Sequence, residues 1–246
     1  MALIFTLVIS ILLMGMAWFI YQNYDNPVIV DVIRPINVVI VSTCYLFFEG
    51  WDQKSSFAFY LVCFWGLRLS LFVFITRFLA TEQNRRYEYL SQDWQDKEHK
   101  FLMYFMQQGF YVWVISLPFF FIAKDATYSW LDQILLNFSL LMILITSVAD
   151  WQLYHHRKRN EGQICQHGLW GMVRHPNYLF EWLTWLGFSL LGIYSFSSIM
   201  SLFSALLLYF ILRYNRIKIT EEHLLAVNNA QYKAYQSRVP TFFPWT

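Results

Sequence analysis

Seven apolar stretches, each close to the length of a membrane crossing, follow one another along the 246 residues of this chain. A helix needs roughly 20 mostly apolar residues to cross the hydrocarbon core of a bilayer. The stretches cover residues 3–21, 28–48, 57–79, 101–123, 130–149, 178–194 and 199–212. Because backbone polar groups in lipid must be satisfied within the protein, they predict an all-α integral membrane bundle of seven transmembrane helices.

The composition agrees with a chain that meets little water. Charged residues make up 14% of the chain and hydrophobic residues 57%, whereas a soluble domain carries about 25% charged residues. A formal net charge of +2 gives no reason to expect nucleic-acid binding. No repeat or low-complexity linker divides the sequence, which predicts a single membrane domain over residues 1–246 with no obligate protein partner.

The basic residues predict the orientation, because cytoplasmic loops of membrane proteins carry an excess of Lys and Arg. With the N-terminus outside, only Lys54 and Lys124 fall in outer loops. The inner loops and tail then hold Arg85, Arg86, Lys97, Lys100, Arg157, Lys158, Arg159, Arg174, Arg213, Arg216, Lys218, Lys233 and Arg238. We therefore predict an external N-terminus and a cytosolic C-terminus.

Residues that commonly bind metals are scattered. The three cysteines form no CxxC pair. His155 and His156 are adjacent, so a helix directs them about 100° apart, which does not suit a shared metal ion. No metal site is predicted.

Charged residues within membrane spans are functional candidates by default. Asp31 and Arg34 are three residues apart, so on a helix they share a face and can neutralise one another. Arg68 lies near the middle of the third span, where either a buried ion pair or a cavity for a carbonyl or carboxylate substrate accounts for it. Arg77 and Glu49 lie at span ends, where snorkelling to the interface is the simpler interpretation.

Residues 168–187 read GLWGMVRHPNYLFEWLTWLG and pass from a basic loop into an apolar stretch. This places Arg174, His175, Asn177, Tyr178 and Glu181 at the membrane boundary. Hydrogen-bonding groups concentrated at the edge of a bilayer are costly unless they are satisfied, so the segment predicts a ligand site.

The preceding span ends in Asp150 and Gln152, and a basic run that includes Arg157 follows. Positive-inside charge alone accounts for this run, and a polyanionic ligand is the alternative, because guanidinium groups match phosphate oxygens in pairs. Asp and Asn side chains beside it suit ribose hydroxyls or a carboxamide. The tail over residues 220–235 has near-helical apolar spacing and predicts an amphipathic helix on the inner membrane face.

The motifs GLW at 168–170, RHPNY at 174–178 and EWLTWLG at 181–187 resemble the C-terminal signature of the steroid 5-alpha-reductase-like superfamily, in particular its bacterial branch. Further positions that resemble this family are Asp31, Trp65, Arg68, Arg77, Arg86, Tyr87, Asp150, Gln152, Tyr232, Tyr235, Phe242, Phe243, Pro244 and Trp245.

The resemblance implies a reductase in the bacterial inner membrane that takes NADPH from the cytosol and a lipid-soluble enone from the bilayer. Residues 1–124 would form the substrate side and residues 125–246 the cofactor side, with substrate and membrane lipids as the partners. The implied cofactor contacts are Asp150, Arg157, Arg174, His175, Asn177, Tyr178, Glu181, Glu222, Tyr232 and Tyr235.

The implied reaction is hydride transfer to the β carbon of a carbon–carbon double bond conjugated to a ketone. Asp31 and Arg68 are the groups that would polarise the carbonyl. The chain lacks the Gln-Glu pair of the animal steroid reductases in its second span and has Trp65 near the place of their tyrosine. Phe180 stands where the motif usually has Gly. Steroid specificity therefore does not follow.

Two alternatives stay open. Isoprenylcysteine carboxyl methyltransferases and phospholipid methyltransferases share the Arg-His-Pro-x-Tyr pattern and bind S-adenosylmethionine. Glu221, Glu222 and Val239 favour that class, whereas Asn177 and Asp150 in its Asp-x-Gln pattern favour the reductase. The other alternative is a non-catalytic membrane protein that binds lipid.

Overall fold

A computed structural model describes residues 1–79, 97–160 and 162–244. The helices within these ranges are α1 (Ala2–Tyr24), α2 (Ile29–Glu49), α3 (Gln53–Val73), α4 (Lys97–Ile115), α5 (Leu117–Ile122), α6 (Trp130–Arg159), α7 (Pro176–Leu191), α8 (Leu202–Phe210) and α9 (Ile217–Gln236). The described ranges contain no strand. Arg85, Arg86, Tyr87 and Trp245, which the sequence singles out, lie outside the described residues.

Short turns of other helical types extend several of these helices. A π-helical turn over Phe74–Phe78 continues α3, and another over Ile211–Arg216 joins α8 to α9. Turns of 3-10 helix over Gly168–Gly171 and Ser197–Ser201 precede α7 and α8. As a result, the last part of the chain is one helical run from Ser197 to Gln236.

Six helical segments within the described ranges are long and apolar enough to cross a membrane. They are Ala2–Tyr24, Ile29–Glu49, Gln53–Phe78, Glu98–Ile122, Trp130–Arg159 and Ser197–Gln236. The predicted all-α, multi-pass membrane protein is therefore confirmed. The sixth predicted span falls on α7, whose 16 residues extend about 24 Å, less than the roughly 30 Å of the hydrocarbon core. The count of seven is not confirmed, and the orientation stays a prediction.

The tail is helical, as the sequence predicts, and its position on the inner membrane face stays a prediction. α9 continues the last span directly and bends at Asn228, whose backbone is not helical (φ −137°, ψ 53°). The whole run has 40 residues, about 60 Å of helix, which is twice the thickness of the hydrocarbon core. Part of α9 must therefore extend beyond the membrane.

Close helix packing sets the position of α7. Gly187 lies where α7 crosses α6, and a Cβ atom there would meet the hydroxyl of Ser139. The missing side chain lets the two backbones approach, and α6 and α7 pack along their length. This packing brings Glu181, near the start of α7, alongside Asp150 of α6.

Ion pairs fasten the end of the bundle at which α3 and α6 begin. Ser129 and Asp132 form a reciprocal cap at the start of α6, which satisfies two backbone N–H groups. Lys54 is completely buried, and its Nζ lies 2.5 Å from Asp125 and 3.7 Å from Asp132. A buried ammonium is stable only when it is paired. These contacts hold the starts of α3 and α6 together.

Candidate functional site

A cavity lies among α2, α3, α4, α6, α7 and the last helical run. Together with the solvent space at its open end, it measures about 1030 Å³. Its polar lining residues are Asp31, Arg34, Arg77, Gln108, Tyr111, Thr146, Asp150, Asn177, Tyr178, Glu181 and Arg216. Its apolar lining residues are Val38, Trp65, Leu69, Phe72, Val73, Ile115, Trp185, Leu208, Ile211 and Leu212. The cavity thus brings together residues from both the predicted substrate side and the predicted cofactor side.

Five residues of α3, α6 and α7 form a carboxylate cluster: Trp65, Arg68, Asp150, Asn177 and Glu181. Asp150 accepts hydrogen bonds from Arg68 Nη1 at 2.7 Å and from Asn177 Nδ2 at 3.3 Å. Glu181 accepts one from Trp65 Nε1 at 2.8 Å, and its other oxygen lies 3.8 Å from Arg68 Nη2. One guanidinium therefore serves two carboxyl groups.

Arg68 forms a buried ion pair, which is one of the two interpretations that the sequence allows for it. It is not among the residues that line the cavity; instead it contacts Asp150 and Glu181, which do. Its Nε and Nη2 atoms are buried and have no hydrogen-bond partner among the described residues. The geometry makes Arg68 a residue that positions two carboxyl groups, and its predicted contact with a substrate carbonyl stays a prediction.

A second charged group, the arginine cluster, consists of Arg34, Arg77 and Arg216 and lines the same cavity. Asp31 Oδ1 lies 3.6 Å from Arg34 Nη2 and 3.5 Å from Arg216 Nη2. The predicted pairing of Asp31 with Arg34 is therefore confirmed. Arg34 Nη1 also donates to Gln108 Oε1 at 3.5 Å.

Arg174 and His175 point away from the cavity, although the sequence motif groups them with Asn177. Arg174 Nε donates to Glu221 Oε1 at 2.8 Å, and His175 Nε2 lies 3.0 Å from the same oxygen. Arg174 Nη1 also donates to the carbonyl of Val239 at 2.6 Å. Arg174, His175 and Glu221 form a tail latch, which fastens α9 and the chain end to the start of α7.

The other implied cofactor contacts divide in the same way. Tyr178 lines the cavity, and its ring stacks on His175 with 5.6 Å between centroids. Four others do not line the cavity: Arg157 and Glu222 are exposed, whereas Tyr232 and Tyr235 are buried within the tail packing. Phe180, which replaces the usual motif Gly, also lies outside the cavity wall.

Sequence reasoning missed Gln108 and Tyr111 of α4, both of which line the cavity. A signal was present, because Tyr104, Gln107, Gln108 and Tyr111 recur at helical spacing in an otherwise apolar span. These four also line a small polar pocket that shares Gln108, Tyr111, Ile211 and Arg216 with the main cavity.

The tail latch predicts a dependence of stability on pH. Burial lowers the pKa of His175, and Arg174 and Arg213 act in the same direction against the opposing effect of Glu221. A His whose folded pKa is depressed contributes stability that is complete above its unfolded pKa, about 6.5, and is lost as the pH falls toward the folded pKa. We expect a lower unfolding temperature at pH 5.5 than at pH 7.5.

His175→Gln should reduce this pH difference, and His155→Gln, which changes a histidine outside the latch, should preserve it. The measurement is the unfolding temperature of each purified protein in detergent at both pH values. A His175→Gln variant that keeps the full difference would show that another group is responsible.

Within the part of the chain that the structure describes, no group of three or more His, Cys, Asp and Glu side chains is placed to hold a metal ion.

Two bacterial proteins are similar to part of this chain. The chain is 26% identical over 117 residues to the nickel-cobalt-cadmium resistance protein NccN of Alcaligenes xylosoxydans xylosoxydans, covering 47% of this chain and 53% of that protein. It is equally similar to the cobalt-zinc-cadmium resistance protein CzcN of Cupriavidus metallidurans, covering 52% of that protein. The chain spans about half the length of the curated relatives it matches. No solved structure matches it.

A family model described as a protein of unknown function, DUF1295, matches residues 17–239. This range contains every residue that lines the cavity and all three residues of the tail latch. The chain therefore belongs to the DUF1295 family.

Proposed function

We propose that this protein is a membrane-embedded reductase that uses NADPH to reduce a carbon–carbon double bond conjugated to a ketone in a lipid-like substrate. The observation that carries the proposal is the cavity itself. It combines hydrogen-bonding groups at Asp150, Asn177 and Glu181 with a long apolar wall. The resemblance of the RHPNY and EWLTWLG motifs to the steroid 5-alpha-reductase-like superfamily supports the same conclusion.

The residues present fit NADPH. Asp150, Asn177 and Glu181 offer acceptors and a donor for a carboxamide and ribose hydroxyls. NADPH supplies a hydride when bound.

The chain's own residues would orient the substrate and stabilise charge. Trp65, Ile115 and Trp185 belong to an apolar wall that excludes water from a flat hydrophobic molecule. The hydroxyls of Tyr111 and Tyr178 are donors on the same cavity and suit the carbonyl oxygen, where negative charge develops. One such donor contributes about 10²–10³ in rate. Asp31, predicted for this role, is held between two guanidinium groups, and an ionised carboxylate only accepts hydrogen bonds.

A methyltransferase that uses S-adenosylmethionine is the second candidate. The observation that favours it is the carboxylate cluster, in which Asp150 and Glu181 share only one guanidinium. Two carboxyl groups that share one guanidinium suit a sulfonium cation. The names of the two bacterial relatives add nickel, cobalt, zinc and cadmium ions as ligands to be compared in the same test.

The test is the unfolding temperature of the purified protein with NADPH, with S-adenosylmethionine and with each metal ion. We expect NADPH alone to stabilise, because a ligand that binds only the folded state adds about 2.7 kcal/mol at 100 times its Kd. Stabilisation by S-adenosylmethionine without NADPH would favour the methyltransferase. A response to metal ions alone would favour a role in metal handling, and no response would favour a non-catalytic lipid-binding protein.

A further inference from the structure

Both π-helical turns bring an arginine to the same cavity. Arg77 lies in the turn Phe74–Phe78, and Arg216 ends the turn Ile211–Arg216. π-helical turns are rare and occur frequently at functional sites, because each inserts an extra residue that redirects the side chains around it. With Arg34 from α2, they form the arginine cluster on the cavity wall.

The arginine cluster marks where the cavity reaches the surface. Arg77 is exposed, the side chain of Arg34 is 26% exposed, and that of Asp31 only 4%. Among the described lining residues at this end, three guanidinium groups accompany one carboxylate. Arg34 and Arg216 lie beside Asp31, whereas Arg77 is also within electrostatic range of Asp150.

Asp31 does not saturate the guanidinium groups around it. Its distances to Arg34 and Arg216, 3.6 and 3.5 Å, exceed the roughly 2.7–2.9 Å of a strong charge-assisted hydrogen bond. By contrast, Arg68 reaches Asp150 at 2.7 Å in the carboxylate cluster. The donors of the arginine cluster thus remain suited to an additional acceptor.

We propose that the arginine cluster binds a phosphate-bearing group, most simply a diphosphate. Three guanidinium groups line the cavity, and the planar guanidinium group pairs with phosphate oxygens two at a time. The inference deepens the proposed function and rests on it in one respect: the diphosphate of NADPH is one source of the group, and the headgroup of an anionic phospholipid is the other. In the nucleotide case, the phosphates lie at the arginine cluster and the nicotinamide half lies toward the carboxylate cluster.

The test is isothermal titration calorimetry, in which inorganic pyrophosphate is titrated into the detergent-purified full-length protein. We expect Arg77→Gln to weaken binding at least about tenfold, because a hydrogen bond to a charged group contributes roughly 1.5–3 kcal/mol. Arg77→Lys keeps the charge but loses the paired donors, and should give an intermediate affinity. Arg159→Gln, an equal loss of charge at the exposed end of α6, should bind as the parent does. Because Arg77 is exposed, its replacement should leave the fold intact.

Two further arms distinguish the sources of the phosphate. Competition by NADPH for pyrophosphate assigns the cluster to a nucleotide. In nanodiscs, weaker pyrophosphate binding with phosphatidylglycerol than with phosphatidylcholine assigns it to a lipid headgroup.

A parent protein that does not bind pyrophosphate, or an Arg77→Gln variant that binds it as tightly as the parent, overturns the proposal. The two proposals fail separately. Pyrophosphate binding that depends on Arg77 without any NADPH response contradicts the reductase alone, whereas NADPH binding together with pyrophosphate binding that is unchanged in Arg77→Gln contradicts the arginine site alone.

Discussion

Replacing Arg68 with leucine should lower the free energy of unfolding by about 3–5 kcal/mol, the usual cost of removing one partner of a buried ion pair. Arg68 is the cation that lies between the carboxylates of Asp150 and Glu181. Without it, two buried negative charges would face one another with no countercharge. Chemical or thermal unfolding in detergent measures the change.

The control for this prediction removes the charges together. A triple variant, Arg68→Leu with Asp150→Asn and Glu181→Gln, should recover most of the lost stability while remaining inactive, because its cluster is neutral. Arg159→Leu, at an exposed position, should change stability by no more than about 0.5 kcal/mol. If Arg68→Leu is as stable as Arg159→Leu, the guanidinium is not what holds the cluster together.

Replacing Asn177 with alanine should weaken NADPH binding by about 10–100-fold, which corresponds to one hydrogen bond to a charged or polar partner in a buried site. Asn177 Nδ2 donates to Asp150, and its Oδ1 accepts from the backbone N–H of Tyr178 at the start of α7. The substitution therefore removes a donor from the cavity wall and loosens Asp150. The measurements are the Kd for NADPH and the rate of substrate-dependent NADPH oxidation.

Asn23→Ala is the matched control, because Asn23 is an exposed asparagine whose side chain bonds only within its own helix. It should keep the parental affinity for NADPH. An Asn177→Ala variant that oxidises NADPH at the parental rate would remove Asn177 from the cofactor site.

Much of the fold could be predicted from the sequence, because lipid imposes a length and a polarity on every crossing. The α2 pair of Asp31 and Arg34 was also predictable, since it depends only on helical spacing. The length of α7 was not. Its apolar residues run on past Leu191, but the chain leaves the helix at Gly192, and hydropathy does not register that change of backbone.

The residues of the candidate site were predictable only where they lie on one helix, because helical spacing then determines which of them face the same side. Asn177, Tyr178 and Glu181 follow one another on α7 and reach the cavity as expected. Arg174 and His175 belong to the same motif, yet they lie before the helix and turn to Glu221, 46 residues or more along the chain. The direction of a side chain in a loop depends on tertiary contacts, which no local pattern specifies.

Arg68 and Arg216 illustrate the same limit for charge. Asp150, which pairs with Arg68, is 82 residues away, so no local pattern distinguishes an ion pair from a ligand contact. In the sequence, Arg216 contributes only to the predicted orientation, as one of the basic residues on the inner side. Its place in the cavity depends on the π-helical turn before α9. Both assignments require the packing of helices that are distant in sequence.

The most direct test of the central claim is an experimental structure of the full-length protein determined in the presence of NADPH. The account predicts density for the nucleotide inside the cavity, in contact with Asp150, Asn177 and Glu181. Density for NADPH elsewhere on the protein, with no contact between the nucleotide and these three side chains, would contradict it.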